Sequence, residues 1–201
     1  MVFQASEERG SLTLAELLAA VVMSAAAMGA MYSMMVAQNQ VFSGQDRAVE
    51  MEQTARSIMT MISRDLRMAG YNPVHGISFY GITYDPVQLR IQADLNGNGV
   101  RTDTNEDITY SYDAVNLRLL RTAPNSLIVF QNVEAFTFSY LNGNGALLDS
   151  SSNPPPTSAD IRQVMVSVTL RAANRDPTYP GNNGYRTLKL QSRVTPRDLG
   201  V

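Results

Sequence analysis

The chain carries one long apolar run near its start, and a single carboxylate stands at the head of that run. After Glu16 the sequence has no charged residue until Asp46. A helix of about 20 apolar residues is long enough to cross a bilayer. An ionised carboxylate inside the hydrocarbon costs about 2.5–3.5 kcal/mol, so we expect Glu16 to find a partner on another chain. The run therefore predicts a membrane helix over residues 12–41.

The helical pattern continues past this run but becomes one-sided. Apolar residues recur there at steps of three and four, which predicts an amphipathic helix over residues 42–70 with one apolar stripe. Gly70 and Pro73 are typical of the end of such a helix. The stripe consists of Phe42, Val49, Ala55, Ile58, Met59, Ile62, Leu66 and Ala69. A stripe of this kind needs a sheet to cover it.

Beyond Pro73 the apolar period changes from helical to alternating. Segments rich in β-branched, aromatic or leucine residues are predicted as strands. They cover residues 77–84, 87–93, 108–112, 117–121, 127–131, 133–141, 161–172 and 185–194. Short, turn-prone connections favour antiparallel pairing. The sequence thus predicts an α+β fold in which residues 71–201 form a β-rich globular domain and its sheet packs on the helical stripe.

Four segments resemble those of a known family. Residues 12–18, Leu-Thr-Leu-Ala-Glu-Leu-Leu, are similar to the start of a mature type IV pilin or type II secretion pseudopilin. Residues 51–53 and 62–73 resemble the end of the long helix in PilW-type minor pilins, and residues 193–199 resemble the last strand of that group. The resemblance implies the type IV pilin-like fold, with a long N-terminal helix on an antiparallel β-sheet.

The resemblance also implies processing by a prepilin peptidase. Cleavage after Ser11 makes Leu12 the first mature residue and Glu16 the fifth, which is the family register. Cleavage after Gly10 instead makes Ser11 the first residue and Glu16 the sixth. The leader would cover residues 1–11, and the new N terminus would be methylated.

The implied role is that of a structural minor pilin which primes type IV pilus assembly and could stand at the pilus tip. Thr13 and Glu16 would act in assembly, with Glu16 near a neighbour's amine. The implied partners are other minor pilins, the major pilin, the prepilin peptidase and the inner-membrane assembly platform. The protein would first span the inner membrane once, with a periplasmic domain, and then enter the extracellular pilus. Two alternatives remain open: a minor pseudopilin of a type II secretion system, and a signal-anchored periplasmic calcium-binding module.

A loop between two predicted strands has the pattern of a Ca²⁺ site. Asp94, Asn96 and Asn98 place oxygen side chains at alternate positions ahead of a glycine, as at the opening of an EF-hand loop. Asn105 stands where an EF-hand has its glutamate, so another carboxylate must complete the shell. The candidate ligands are the side chains of Asp94, Asn96 and Asn98, the carbonyl of Val100, and a carboxylate from Asp103, Glu106 or Asp107. The other interpretation is turn chemistry alone.

Composition argues against catalysis and against nucleic-acid binding. The chain has no cysteine and one histidine, His75, which excludes a Cys-His pair and a multi-histidine metal centre. No phosphate-binding glycine motif or serine elbow is present in the sequence. Residues 71–201 contain 11 basic and 11 acidic residues, which leaves no electrostatic footprint for a nucleic acid. We therefore predict a protein that is not an enzyme and takes no cofactor other than the Ca²⁺ of the candidate loop.

Overall fold

The computed structural model describes residues 13–74, 78–152, 154–176 and 179–197. The chain forms two compact units, which divide between Asp46 and Arg47. Helix α1 spans Leu14–Met68, so its first part belongs to the first unit and its last part to the second. All the elements that follow α1 belong to the second unit.

Eight antiparallel strands follow α1 in the part of the chain that the structure describes. They are β1 (Ile82–Thr83), β2 (Leu89–Gln92), β3 (Asp107–Asp113), β4 (Arg118–Ala123), β5 (Ser126–Phe130), β6 (Val133–Leu141), β7 (Gln163–Arg171) and β8 (Thr187–Val194). Short 3-10 helices at Ser158–Asp160 and Asn182–Gly184 precede β7 and β8. Strands β2 to β8 each begin and end within two residues of the predicted segment, so these seven predictions are confirmed.

The strands form two sheets, where the sequence predicted one. Strands β1 to β5 pair in chain order, and β6 to β8 form a separate sheet. The break between the two sheets falls at Asn132, whose φ of 58° is left-handed. Few residues other than glycine adopt this conformation, and asparagine is among those that do. Next to it the amide of Val133 donates to the carbonyl of Leu117 (3.0 Å), and β6 then pairs with β7.

The first strand is much shorter than predicted. Alternation predicted residues 77–84, but β1 has two residues, and residues 75–77 lie outside the described part of the chain. At Gly81 a Cβ atom would lie 2.1 Å from the amide nitrogen of Gly70. The amide of Gln92 donates to the carbonyl of Gly81, and the amide of Gly70 donates to the carbonyl of Gln92. The backbone therefore passes directly against the end of α1, and the ladder does not extend further.

Helix α1 ends within two residues of the predicted end at residue 70. Gly70 has a left-handed φ of 80°, and the amide of Tyr71 donates to the carbonyl of Met68 (3.1 Å). This is the usual glycine termination of a helix. At the other end α1 begins at Leu14, and the predicted first helical residue, Leu12, lies outside the described residues.

The apolar stripe is buried over most but not all of its predicted length. The buried members are Ala55, Ile58, Met59, Ile62, Leu66 and Ala69. Phe42 and Val49 are 61% and 53% exposed, so the prediction is wrong for these two. The buried stripe starts at Met51, which lines a small cavity together with Leu170 and Ala172. Sheet coverage of the helix begins only there.

One hydrophobic core joins α1 to both sheets. The inward face of β7 supplies Val164, Val166, Val168 and Leu170, each at most 2% exposed. Full burial of such a side chain contributes about 1.5–3 kcal/mol. The predicted fold class, α+β with a long N-terminal helix packed on antiparallel strands, is confirmed.

Candidate functional site

The start of α1 is closed by a reciprocal pair of hydrogen bonds. The amide of Thr13 donates to Oε2 of Glu16 (2.9 Å), and the amide of Glu16 donates to Oγ1 of Thr13 (3.3 Å). Both residues are exposed. This is a capping box, in which a threonine and a glutamate three residues apart satisfy two backbone donors. The Thr-x-x-Glu spacing was visible in the sequence, but the sequence analysis assigned these residues to assembly alone.

The processing residues cannot be placed. Gly10, Ser11 and Leu12 lie outside the described residues. Cleavage after Gly10 and cleavage after Ser11 both stay predictions.

The first part of α1 exposes every large apolar side chain it carries. Between Leu14 and Phe42 these side chains are 38–82% exposed. The hydroxyls of Ser24 and Ser33 donate to the helix's own carbonyls, of Ala20 and Ala30, so neither adds an unsatisfied donor to this surface. By length and composition α1 could cross a membrane, and it is the one such helix among the described residues.

The opening of the loop after β2 is organised around one buried carboxylate. Asp94 is fully buried, and its two oxygens accept the amides of Gly97 (2.7 Å) and Gly99 (2.9 Å). Both glycines have left-handed φ angles, 74° and 78°. Oδ1 of Asn96 accepts the amide of Asn98 (3.0 Å) in the same turn. The chain is thereby wound tightly around the Asp94 carboxylate.

The second half of the loop returns to this turn through two further carboxylates. Oδ2 of Asp103 accepts the side-chain amides of Asn96 (2.8 Å) and Asn98 (2.7 Å). Oε1 of Glu106 accepts the backbone amides of Leu95 (2.8 Å) and Asn96 (3.3 Å). Glu106 is 1% exposed. Asp103 therefore holds the amide nitrogens of the asparagines, and Glu106 holds the backbone at the start of the turn.

The structure brings most of the predicted ligands into one loop but does not gather three carboxylates at one point. Among the described residues, no group of three acidic, histidine or cysteine side chains is arranged to hold a metal ion. Val100 donates its amide to Oδ1 of Asn98 (2.7 Å) and so follows the same turn. Asp107 points to a different partner, Arg90, with which it forms an ion pair of 2.6 Å.

A buried ion pair between α1 and the first sheet was not predicted from the sequence. Nε of Arg121 donates to Oδ2 of Asp65 (2.7 Å), and the hydroxyl of Tyr110 donates to the same oxygen (2.6 Å). The three residues are at most 5% exposed. NH2 of Arg121 also donates to Oδ1 of Asn105 (3.1 Å), at the end of the loop. Burial, and then the Asp65 charge, raises the pKa of Tyr110 far above its usual value.

A sequence signal for this pair did exist. Asp65 lies three residues after Ile62, on the apolar side of the helix, where a charge is unexpected. Arg121 stands at an inward position of β4, between the buried Leu119 and Ala123. A charged residue at an inward position is expected to have a buried partner. The sequence does not show that Asp65 and Arg121 are partners of each other.

Comparison with known proteins gives a structural likeness but no match in sequence. No family model matches the sequence, and no curated protein matches it. Among solved structures, the chain is similar to a type IV-like pilin from Thermus thermophilus, with 17% sequence identity and a TM-score of 0.48. The match covers 77% of this chain and 98% of that protein.

Proposed function

We propose that this protein is a structural minor pilin of the PilW type, which is built into a type IV pilus and primes its assembly. The observation that carries the proposal is the pairing of an exposed apolar helix surface with a single carboxylate at its head. Every large apolar side chain from Leu14 to Phe42 is exposed, and Glu16 is the one charge in this part of the helix. Such a surface suits lipid first and the helices of other subunits later.

Helix packing offers a physical route from membrane to filament. In lipid, helices associate through van der Waals packing and interhelical hydrogen bonds, because the acyl chains are as apolar as the side chains. The small residues of the apolar half, such as Ala25, Ala26, Ala27 and Gly29, allow close approach of neighbouring helices. The other minor pilins and the major pilin are the proposed partners.

Glu16 has capacity for a neighbour in addition to its cap. A carboxylate offers about four acceptor positions, and the amide of Thr13 uses one of them. The proposal assigns the remaining capacity to the amine that a prepilin peptidase would expose on an adjacent subunit. The cap holds the carboxylate at the start of α1, and the amine would neutralise it inside the apolar filament core.

The variant Glu16→Gln tests the charge of Glu16 separately from its capping hydrogen bond. Glutamine can fill the glutamate position of a capping box but has no charge to pair with an amine. We expect Glu16→Gln to reduce the amount of this protein in sheared surface filaments at least about tenfold, the factor that about 1.4 kcal/mol gives. Thr13→Ala removes the threonine half of the box and keeps the charge. Because Thr13 would then act in assembly only through the cap, this variant should be incorporated at a higher level than Glu16→Gln.

Incorporation of Glu16→Gln into filaments at the level of the wild type would contradict the pairing of the Glu16 carboxylate with an amine.

Deletion of the gene distinguishes the type IV pilus from the secretion pseudopilus. Loss of surface pili supports the minor pilin, whereas intact pili with a loss of protein export would support the secretion pseudopilin instead. Recovery of the protein only from membranes or periplasm, never from filaments, would contradict both.

A further inference from the structure

Backbone amides in the turn at residues 94–100 point at the side-chain oxygens that the sequence spacing marks as candidate ligands. The amides three and five residues after Asp94 both point at its carboxylate. The amides of Asn98 and Val100 point at the side-chain oxygens two residues before them. Each of these oxygens keeps a second lone pair. Backbone amides therefore fix the side chains of Asp94, Asn96 and Asn98, and the oxygens of these side chains can still accept a further ligand.

An independent observation points to a missing ligand on this loop. Oε2 of Glu106 is buried and has no hydrogen-bond partner. Its other oxygen accepts the amides of Leu95 and Asn96, so the Glu106 carboxylate is held at the start of the same turn. Glu106 and Asp94 are 1% and 0% exposed, and neither takes part in the ion pairs formed among the described residues. Buried carboxylates normally have a cation or a full set of donors.

We propose that the loop from Asp94 to Glu106 binds one Ca²⁺ ion. Ca²⁺ takes six to eight oxygen ligands and accepts carboxylates, amide oxygens and backbone carbonyls together. The loop offers two carboxylates, from Asp94 and Glu106, with neutral oxygens from Asn96, Asn98 and the carbonyl of Val100. A shell with only two carboxylates is consistent with the lack of any three-carboxylate cluster among the described residues.

Asp103 takes a supporting role in this site. Its Oδ2 holds the side-chain nitrogens of Asn96 and Asn98. Because an amide's oxygen points away from its nitrogen, this contact sets the direction of both amide oxygens. Hydrogen-bonded neighbours of this kind orient metal ligands, and their loss typically weakens binding about 10–100-fold. Asp103 is thus a positioning residue and not a direct ligand.

The bound ion would fasten the connection between β2 and β3. The loop leaves β2 at Gln92 and enters β3 at Asp107, and it also contacts the residues that follow α1. The amide of Asp94 donates to the carbonyl of Tyr71 (2.8 Å), and the loop backbone at Gly97 lies against Pro73 and Val74. Calcium would therefore stabilise the end of α1 as well as the sheet.

The test is calcium binding by the purified full chain in detergent. Isothermal titration calorimetry with CaCl₂ should give one site per chain. At calcium a hundredfold above the dissociation constant, the melting temperature should rise by about 5–10 °C over the value in chelator. MgCl₂ should not reproduce this rise, because Mg²⁺ requires a smaller and stricter octahedral shell.

Matched variants locate the site. Glu106→Gln and Asp94→Asn should abolish the calcium-dependent rise, and Asp103→Asn should weaken the affinity about 10–100-fold. Asp107→Asn makes the same charge change one residue away, in a side chain that pairs with Arg90, and should keep the calcium-dependent rise in melting temperature.

If a variant at Asp94 or Glu106 does not fold, Asn98→Ala at an exposed position serves instead. No binding heat and identical melting in calcium and chelator for the wild type would overturn the proposal, as would full binding by folded Glu106→Gln.

Discussion

The two parts of α1 have the same secondary structure but place their apolar side chains in opposite environments. Ile58, Ile62 and Leu66 are at most 1% exposed, whereas Leu17, Val21 and Met31 are 59%, 59% and 72% exposed. In the second part the chain supplies its own covering, from both sheets. In the first part the large apolar side chains stay exposed. Helix formation alone therefore does not indicate the role of a helix. The environment of its apolar side chains is more informative.

The largest expected effect comes from a charge placed on the covered part of the helix. Ile62→Asp buries a carboxylate in an apolar core that offers it no partner. We expect a loss of about 5 kcal/mol or more in the free energy of unfolding, which is comparable to the whole stability of many domains. Thermal or chemical denaturation should find the domain unfolded or aggregated. Thr60→Asp, at an exposed position of the same helix, is the control and should melt within about 0.5 kcal/mol of the wild type.

The next effect contrasts a buried ion pair with an exposed one on the same helix. Arg121→Met leaves the Asp65 carboxylate buried beside Tyr110 without its cation, which should cost about 3–5 kcal/mol. Arg56→Met removes the exposed i,i+4 pair with Glu52 and should cost less than about 1 kcal/mol. Denaturant titration of the two variants measures both losses. Equal losses would mean that the Asp65–Arg121 contact does not carry the stability assigned to it.

A charge in the uncovered part of α1 should affect insertion and leave domain stability unchanged. Val21→Asp places a carboxylate near the middle of the apolar run, and the expected penalty for membrane insertion is about 2.5–3.5 kcal/mol. Membrane fractionation should show less of this variant in the bilayer. Its melting temperature in detergent should match the wild type, and a large drop would show that this part of the helix is covered within the chain.

The smallest effect is a pH dependence at the buried pair. The pKa of Tyr110 is raised in the folded state, chiefly by burial and then by Asp65. As pH rises above about 10, the unfolded chain loses this proton while the folded chain keeps it. The unfolded state then binds fewer protons, so stability falls with pH by about 1.4 kcal/mol per pH unit for this group. Tyr110→Phe should show a shallower alkaline slope than the wild type, and an identical slope would contradict the assignment.

Local sequence patterns predicted most of this architecture, because the determining forces were local. The strands could be located from alternation, and Gly70 marked the end of α1 because the helix needs a left-handed residue there. The separation into two sheets was not predictable from local pattern, because left-handed asparagines stand both at the break, at Asn132, and between two paired strands of one sheet, at Asn125. The exposure of Phe42 and Val49 was missed because periodicity does not show where a covering sheet begins.

The site was predictable in part for the same reason. Residues 94–100 fold on themselves, so spacing alone gave the turn around Asp94. The burial of Glu106 depends on packing against the rest of the domain, and the sequence could not choose between it, Asp103 and Asp107. The pairing of Asp65 with Arg121 joins residues 56 positions apart. Each charge was detectable at an inward position, but only the tertiary structure joins them.

The most direct test of the account is the N-terminal sequence of this protein in sheared surface filaments. The uncovered apolar half of α1, with Glu16 at its head, is interpreted as a surface that passes from lipid to the helices of other subunits. Mass spectrometry of filament protein should therefore find a chain that begins at Leu12, with a methylated amine. A chain that begins at Ser11 would correct the register and keep the function. An intact Met1 in filaments, or the absence of the protein from them, would contradict the account.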